Sequence, residues 1–225
     1  MALVQVQEHD DFTHITLDDG KANALSFAMA DELDMALDTA MARSKVIVIA
    51  GRPGKFSAGF DLSVMGKQDD EAQQLLRRGA DIAGRLASSE VPVIAAVTGH
   101  ALAMGALMCM AADYRIGIRG GFKLGLNEVA IGMTLPRFGI ELAKERIQET
   151  HLHQVVTLAR IYDPDAAVDA GILDSCCEPE QLNEQVVAAA GQFAQLDMGA
   201  FAGTKARLRE GFQERWKTAM ARDFP

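Results

Sequence analysis

Three short stretches hold the residues whose types and spacing could do chemistry: FSAGFDL (Phe56–Leu62), GHALAMG (Gly99–Gly105) and GLNEVAI (Gly125–Ile131). The first two contain Gly-bearing junctions, Ala58-Gly59-Phe60 and Ala103-Met104-Gly105. Each follows an apolar run that reads as a buried strand, and each opens into a helix or turn. Backbone N–H groups at such a place have no partner within a helix. Two of them converging on one point would stabilise a carbonyl oxygen that gains negative charge, with the helix dipole adding to the effect. Two ordinary glycine turns are the plain alternative. In the third stretch Glu128 is followed by Val129, Ala130 and Ile131. A carboxylate desolvated among such neighbours has a raised pKa and suits proton transfer near neutral pH. A Glu on the exposed side of a short helix fits the same residues.

Other chemistries find little support. GRPGKF lacks the spacing of a phosphate-binding P-loop, no G-x-G-x-x-G follows a strand, and GHALAMG is not a nucleophile elbow. His151 and His153 are too close for one helical face, have no third ligand nearby and read as surface histidines. His100, at the start of a buried segment, is open to a structural or a catalytic role. Cys109, Cys176 and Cys177 match no zinc pattern, so no metal is expected. The chain has 225 residues, with 22 Lys and Arg against 31 Asp and Glu and a net charge of −9. Without a basic cluster a nucleic-acid surface is not expected. The N-terminus has no basic n-region, and the longest apolar stretch, Val91 to Ala112, is broken by Pro92, Gly99, His100 and Gly105. A cytoplasmic protein with no membrane span is the expectation.

The elements that must position these residues alternate. Val4–Gln7 and Phe12–Leu17 read as a strand hairpin. Ser26 caps a helix carrying Ala30, Leu33, Leu37, Ala40 and Met41 at helical spacing. KVIVIA (Lys45–Ala50) is a buried strand, Asp69–Ser88 a helix, and VIAAV (Val93–Val97) another strand. HALAMGALMCMAA reads as a fully buried helix and DYRIGI (Asp113–Ile118) as a strand. The alternation implies an α/β core. From Pro136 onward the strand signal fades. Phe138–Ile147, Leu152–Ala159, Asp165–Val168, Leu182–Leu196 and Phe201–Ala221 read as helical.

GRPGKFSAGFDL, then PVIAAVTGHALAMGALMCMAADYRIG, then FKLGLNEVAIGM, in this order, resembles the crotonase (enoyl-CoA hydratase/isomerase) superfamily. The resemblance implies a spiral of ββα units over residues 1–136 that carries an acyl-CoA site. A helical part, 137–225, would serve packing and assembly into a homotrimer or a dimer of trimers. It implies an acyl-CoA ligand, with coenzyme A as part of the substrate and no separate cofactor. By motif position the N–H groups of Phe60 and Met104 would hold the thioester carbonyl. Ala58 would lie against the adenine of CoA. Gly59, Asp61, Met65 and Leu107 would complete the substrate site, with Asp61 also capping the following helix. Hydratases of the family carry a first catalytic Glu where this chain has Leu107. Only the later one, Glu128, is present, as in the Δ3,Δ2-enoyl-CoA isomerases that RPGKFSAGFDL, DYRI and LGLNE also resemble. The implied activity moves a 3-enoyl-CoA double bond to the 2-enoyl position. A 2-enoyl-CoA hydratase using Glu128 alone or with a partner such as Glu141 is one alternative. Thioester hydrolysis and non-catalytic acyl-CoA binding are others. Asp113 is expected to be structural, and Arg137 is given no role.

Overall fold

A computed structural model describes residues 2–67 and 69–225 of the chain. In chain order it runs β1 (Val4–Glu8), β2 (Phe12–Leu17), β3 (Ala24–Leu25), α1 (Phe27–Arg43), β4 (Val46–Gly51), β5 (Gly54–Ser57), β6 (Gly59–Phe60) and α2 (Leu62–Met65). Next come α3 (Asp70–Ser88), β7 (Val93–Val97), β8 (Gly99–Leu102), α4 (Met104–Ala111), β9 (Tyr114–Ile118) and β10 (Leu124–Gly125). After a 3₁₀ turn at Val129–Ile131 follow α5 (Arg137–Arg146), α6 (Glu149–Val156), α7 (Pro164–Ala170) and β11 (Ser175–Cys177). The chain ends with α8 (Leu182–Phe193), α9 (Met198–Leu208) and α10 (Glu210–Asp223).

The main sheet has the order β1-β2-β4-β7-β9-β11. Only β1 pairs antiparallel; the other ladders are parallel. Parallel strands buried on both faces read as continuous apolar runs, and every residue of β4 and β7 is buried. On one face Ile47, Ile49, Val93, Ala95 and Val97 join the cluster that includes α1, α3 and α4. On the other, Val46, Val48, Ala50, Ile94 and Ala96 meet Leu182, Val186 and Ala190 of α8. Ser26 caps α1 by accepting from the Met29 N–H, and Asp69 caps α3 by accepting from Glu71 and Ala72.

Two smaller sheets carry the site, and the sequence showed neither. One has the order β10-β8-β5, all parallel; the other pairs β3 with β6. The segment read as one long buried helix is therefore split. Gly99–Leu102 is strand β8, and the helix begins only at Met104. A four-residue run is too short to show a period that tells strand from helix. The fading strand signal past Pro136 also hid β11, three residues that pair with β9. The helix read over Phe201–Ala221 is two, joined at Arg209 (φ −97°, ψ 10°).

Candidate functional site

The first wall of the site is the turn from β5 into α2. Ser57 Oγ donates to Asn23 O at 2.7 Å and accepts from the Gly59 N–H at 3.2 Å. Asn23 Nδ2 donates to Leu17 O, Lys55 O and Phe56 O. These bonds fix a backbone that passes through φ +100° at Gly59, a conformation glycine reaches without steric cost. The Asp61 N–H donates to Leu25 O at 3.0 Å in β3. N–H groups alternate in direction along a strand, so that of Phe60 points away from β3, and β6 also packs against α4. Asp61 caps α2, accepting from the Ser63 N–H at 2.9 Å and hydroxyl at 2.7 Å.

The second wall is the turn from β8 into α4. Ala103 stands at φ 48°, ψ −122°, a strained setting for a residue with a Cβ, and its N–H donates to Gly125 O at 3.0 Å. Met104 is the first residue of the helix, where an N–H has no intrahelical acceptor. The two turns touch. A Cβ on Gly59 would stand 2.8 Å from Ala103 Cβ and 3.4 Å from Met104 N. A Cβ on Gly105 would stand 2.3 Å from Ser57 O. Close backbone approach thus requires glycine at both places. The Met104 side chain is fully buried and turned toward α3, its Sδ lying 3.2 Å from where a Gly79 Cβ would be.

Glu128 opens the 3₁₀ turn, and its C=O accepts from the N–H groups of Ile131 (3.1 Å) and Met133 (2.9 Å). The residue is 8% exposed. Its Oε2, like Asn127 Oδ1, is buried and has no hydrogen-bond partner among the described residues. Burial pushes the carboxyl up to about 7 from an ordinary 4.5, against the pull of a bond from its own backbone N–H.

Ala58, Phe60, Met65, Leu107 and Glu128 line one cavity of about 140 Å³. Gly59 and Met104, at the touching turns, and Asp61, the cap of α2, are not among the lining residues. Sequence reasoning missed Leu62, Leu76, Ala103, Asn127, Ile131, Met133, Thr134 and Pro136, which also line it. Of these, Asn127 could have been found as the polar neighbour of Glu128 in the same motif, and Thr134 as the polar residue just past its end. Among the described residues, Glu128 is the one ionisable side chain in the lining. Glu141 is elsewhere, paired with Lys144 and with Arg215, each at 2.8 Å. Arg137 pairs with Asp223. His100 lies on β8, and its Nδ1 accepts from the Lys123 N–H at 3.0 Å. Asp113 accepts from the Val93 N–H and ties Lys205 and Arg209 to the core.

Two backbone turns thus meet in an α/β core, and Ala58, Phe60 and Ala103 from those turns line the same cavity as the buried Glu128. Residues 7–224 match the model of the enoyl-CoA hydratase/isomerase family, and the chain belongs to that family. A crystal structure of an enoyl-CoA hydratase/isomerase family protein from Pseudomonas syringae superposes with a TM-score of 0.95. It is 38% identical and covers 98% of this chain and 96% of its own. Human mitochondrial enoyl-CoA delta isomerase 1 is 28% identical over 202 residues, 87% of this chain and 67% of that protein. The crotonyl-CoA hydratase of Syntrophomonas wolfei is 29% identical over 179 residues, 79% of this chain and 68% of that protein. Isomerases and hydratases thus stand at equal similarity. Among the described residues no helix is long and apolar enough to cross a membrane.

Proposed function

We propose that the protein is an acyl-CoA isomerase that shifts a 3-enoyl-CoA double bond to the 2-enoyl position with one glutamate. The observation that supports it most is the cavity lining, in which Glu128 is the sole ionisable group and Leu107 occupies the wall. Two carboxylates suit the gripping and activation of a water; one suffices to take a proton from C2 and return it to C4. In the proposed reaction the thioester oxygen accepts from the N–H groups of Phe60 and Met104. Each such donor typically lowers the barrier by about 3 kcal/mol as the dienolate forms. The carboxyl's pKa of about 7 makes it competent as base and as acid in one turnover. Ala58, on the cavity wall, is assigned to the CoA moiety, and Met65 and Leu107 to the acyl chain. The reaction needs no cofactor beyond the CoA of its substrate. A homotrimer or dimer of trimers in the cytoplasm belongs to the same proposal.

The test compares 3-enoyl-CoA with 2-enoyl-CoA for the parent protein and Glu128→Gln. Turnover of the 3-enoyl substrate alone, abolished by the substitution, supports the proposal. Rapid loss of the conjugated thioester absorbance of crotonyl-CoA overturns it in favour of a hydratase. Release of free CoA points to thioester hydrolysis. CoA binding that survives Glu128→Gln with no turnover in the parent points to a non-catalytic binder.

A further inference from the structure

The middle of α3 carries a glycine that the backbone there does not require. Gly79 is buried and sits within ordinary helix, where glycine is less stable than alanine. Leu76, one turn earlier on the same face, lines the cavity that holds Glu128. A Cβ at Gly79 would stand 2.5 Å from both Cε1 and Cζ of Phe60 and 3.2 Å from Met104 Sδ. The missing side chain is therefore a socket for the end of the Phe60 ring. Phe60 itself lines the cavity of about 140 Å³ and packs against Met65, Ala72 and Leu75. A packed interior offers a displaced ring few voids, and the cavity is one that Phe60 already borders. An aliphatic cavity of about 150 Å³ holds a benzene, about six carbon atoms. The cavity here therefore takes an acyl chain of about six carbons.

We propose that Gly79 is a specificity-determining residue: its bare Cα keeps the Phe60 ring out of the acyl cavity and so sets the length of acyl chain the protein accepts. The proposal rests on the acyl-CoA reading for the class of ligand, and not on the reaction assigned to Glu128. Gly79 touches no reacting atom and acts through Phe60. In Gly79→Ala the struck atoms belong to the tip of a side chain, which moves at little cost to the fold. To regain a carbon–carbon contact of about 3.5–4 Å the ring end shifts by about 1–1.5 Å, about one C–C bond length along a chain. Each methylene so excluded weakens binding about fourfold.

The experiment measures, by isothermal calorimetry, the binding of acetyl-, butyryl-, hexanoyl- and octanoyl-CoA, which have no double bond to move. It uses the parent protein, Gly79→Ala, Phe60→Leu and the double variant. Parent affinity should rise up to about hexanoyl-CoA and then level. Gly79→Ala should bind acetyl-CoA as the parent does and hexanoyl-CoA about fourfold more weakly. Leucine lacks the two struck atoms, so adding Gly79→Ala to Phe60→Leu should change nothing. That comparison holds even where Gly79→Ala alone fails to fold. Gly84→Ala, in the same helix but beside Trp216, should leave every affinity as it was. An equal loss at every chain length, no loss in Gly79→Ala, or the same loss on the Phe60→Leu background overturns the proposal. Chain-length-dependent loss in a protein that fails to isomerise 3-hexenoyl-CoA leaves it standing while the proposed reaction falls. Isomerisation with a uniform loss of binding has the reverse consequence.

Discussion

Burial of Glu128 sets two pH dependences of opposite sign, and both follow from one carboxyl. As a base the group must be ionised to take the C2 proton. With a pKa of about 7, kcat/KM for a 3-enoyl-CoA should climb tenfold per unit of pH up to about 7 and flatten above it. At pH 5 only about one hundredth of the plateau rate should remain. Stability runs the other way. The unfolded carboxyl titrates near 4.5 and the folded one near 7, so between these values the unfolded state binds fewer protons. The native state then loses stability as pH rises, the loss being absent below the lower value and complete above the higher. At 1.36 kcal/mol per unit the loss is about 3 kcal/mol. Glu128→Gln, which keeps the shape and cannot ionise, should therefore match the parent near pH 4.5 and exceed it by about 3 kcal/mol above pH 7, while isomerisation falls at least about a thousandfold. Urea unfolding of both proteins across pH 4.5–8, beside initial rates in the same buffers, measures both curves. A rate profile flat down to pH 5 refutes the desolvated carboxyl as the base, and so does a stability gap that stays constant with pH.

Gly59→Ala meets Ala103 Cβ at 2.8 Å and a φ of +100°; it should cost about 1–3 kcal/mol in denaturant midpoint analysis and lower kcat more than it raises KM. Gly105→Ala would press a Cβ against Ser57 O at 2.3 Å, separating the two turns, and kcat should fall with CoA binding largely kept, as read by calorimetry against rate. Leu107→Glu adds a second carboxylate to the cavity wall and should introduce hydration of crotonyl-CoA at the expense of thermal stability, because a buried unpaired charge is costly. Asp113→Asn weakens the ties from Lys205 and Arg209 and should destabilise the fold by about 3 kcal/mol in urea, with KM for the acyl-CoA unchanged.

What was legible in the sequence divides along physical lines. β4 and β7 announce themselves because strands buried on both faces must be apolar throughout, and α1 and α3 because their caps and apolar faces are local facts. Glu128 could be read as desolvated from its three apolar followers, yet all three, Val129, Ala130 and Ile131, are exposed. Glu128 instead shares its cavity with residues distant in the chain, among them Met65, Leu76 and Leu107. The short strands β5, β6, β8 and β10 were invisible for a related reason. A strand of two to four residues has too few positions for a period, and its pairing is decided by partners such as Gly99 against Gly54 and Leu124 against Ala101. Those pairings nevertheless bring the Gly59 and Met104 turns into contact. The chemistry assigned to FSAGFDL lies in backbone direction, which side-chain patterns do not encode, so only the motif resemblance could group Phe60, Met104 and Glu128 beforehand. The glycines were the one local clue. Gly59 and Gly105 each sit where any Cβ would strike the other turn, and a sequence that keeps them there sacrifices about 1 kcal/mol of unfolded-chain entropy per glycine relative to Ala. That cost is rational only if the close approach of the two turns matters more than the stability it forgoes.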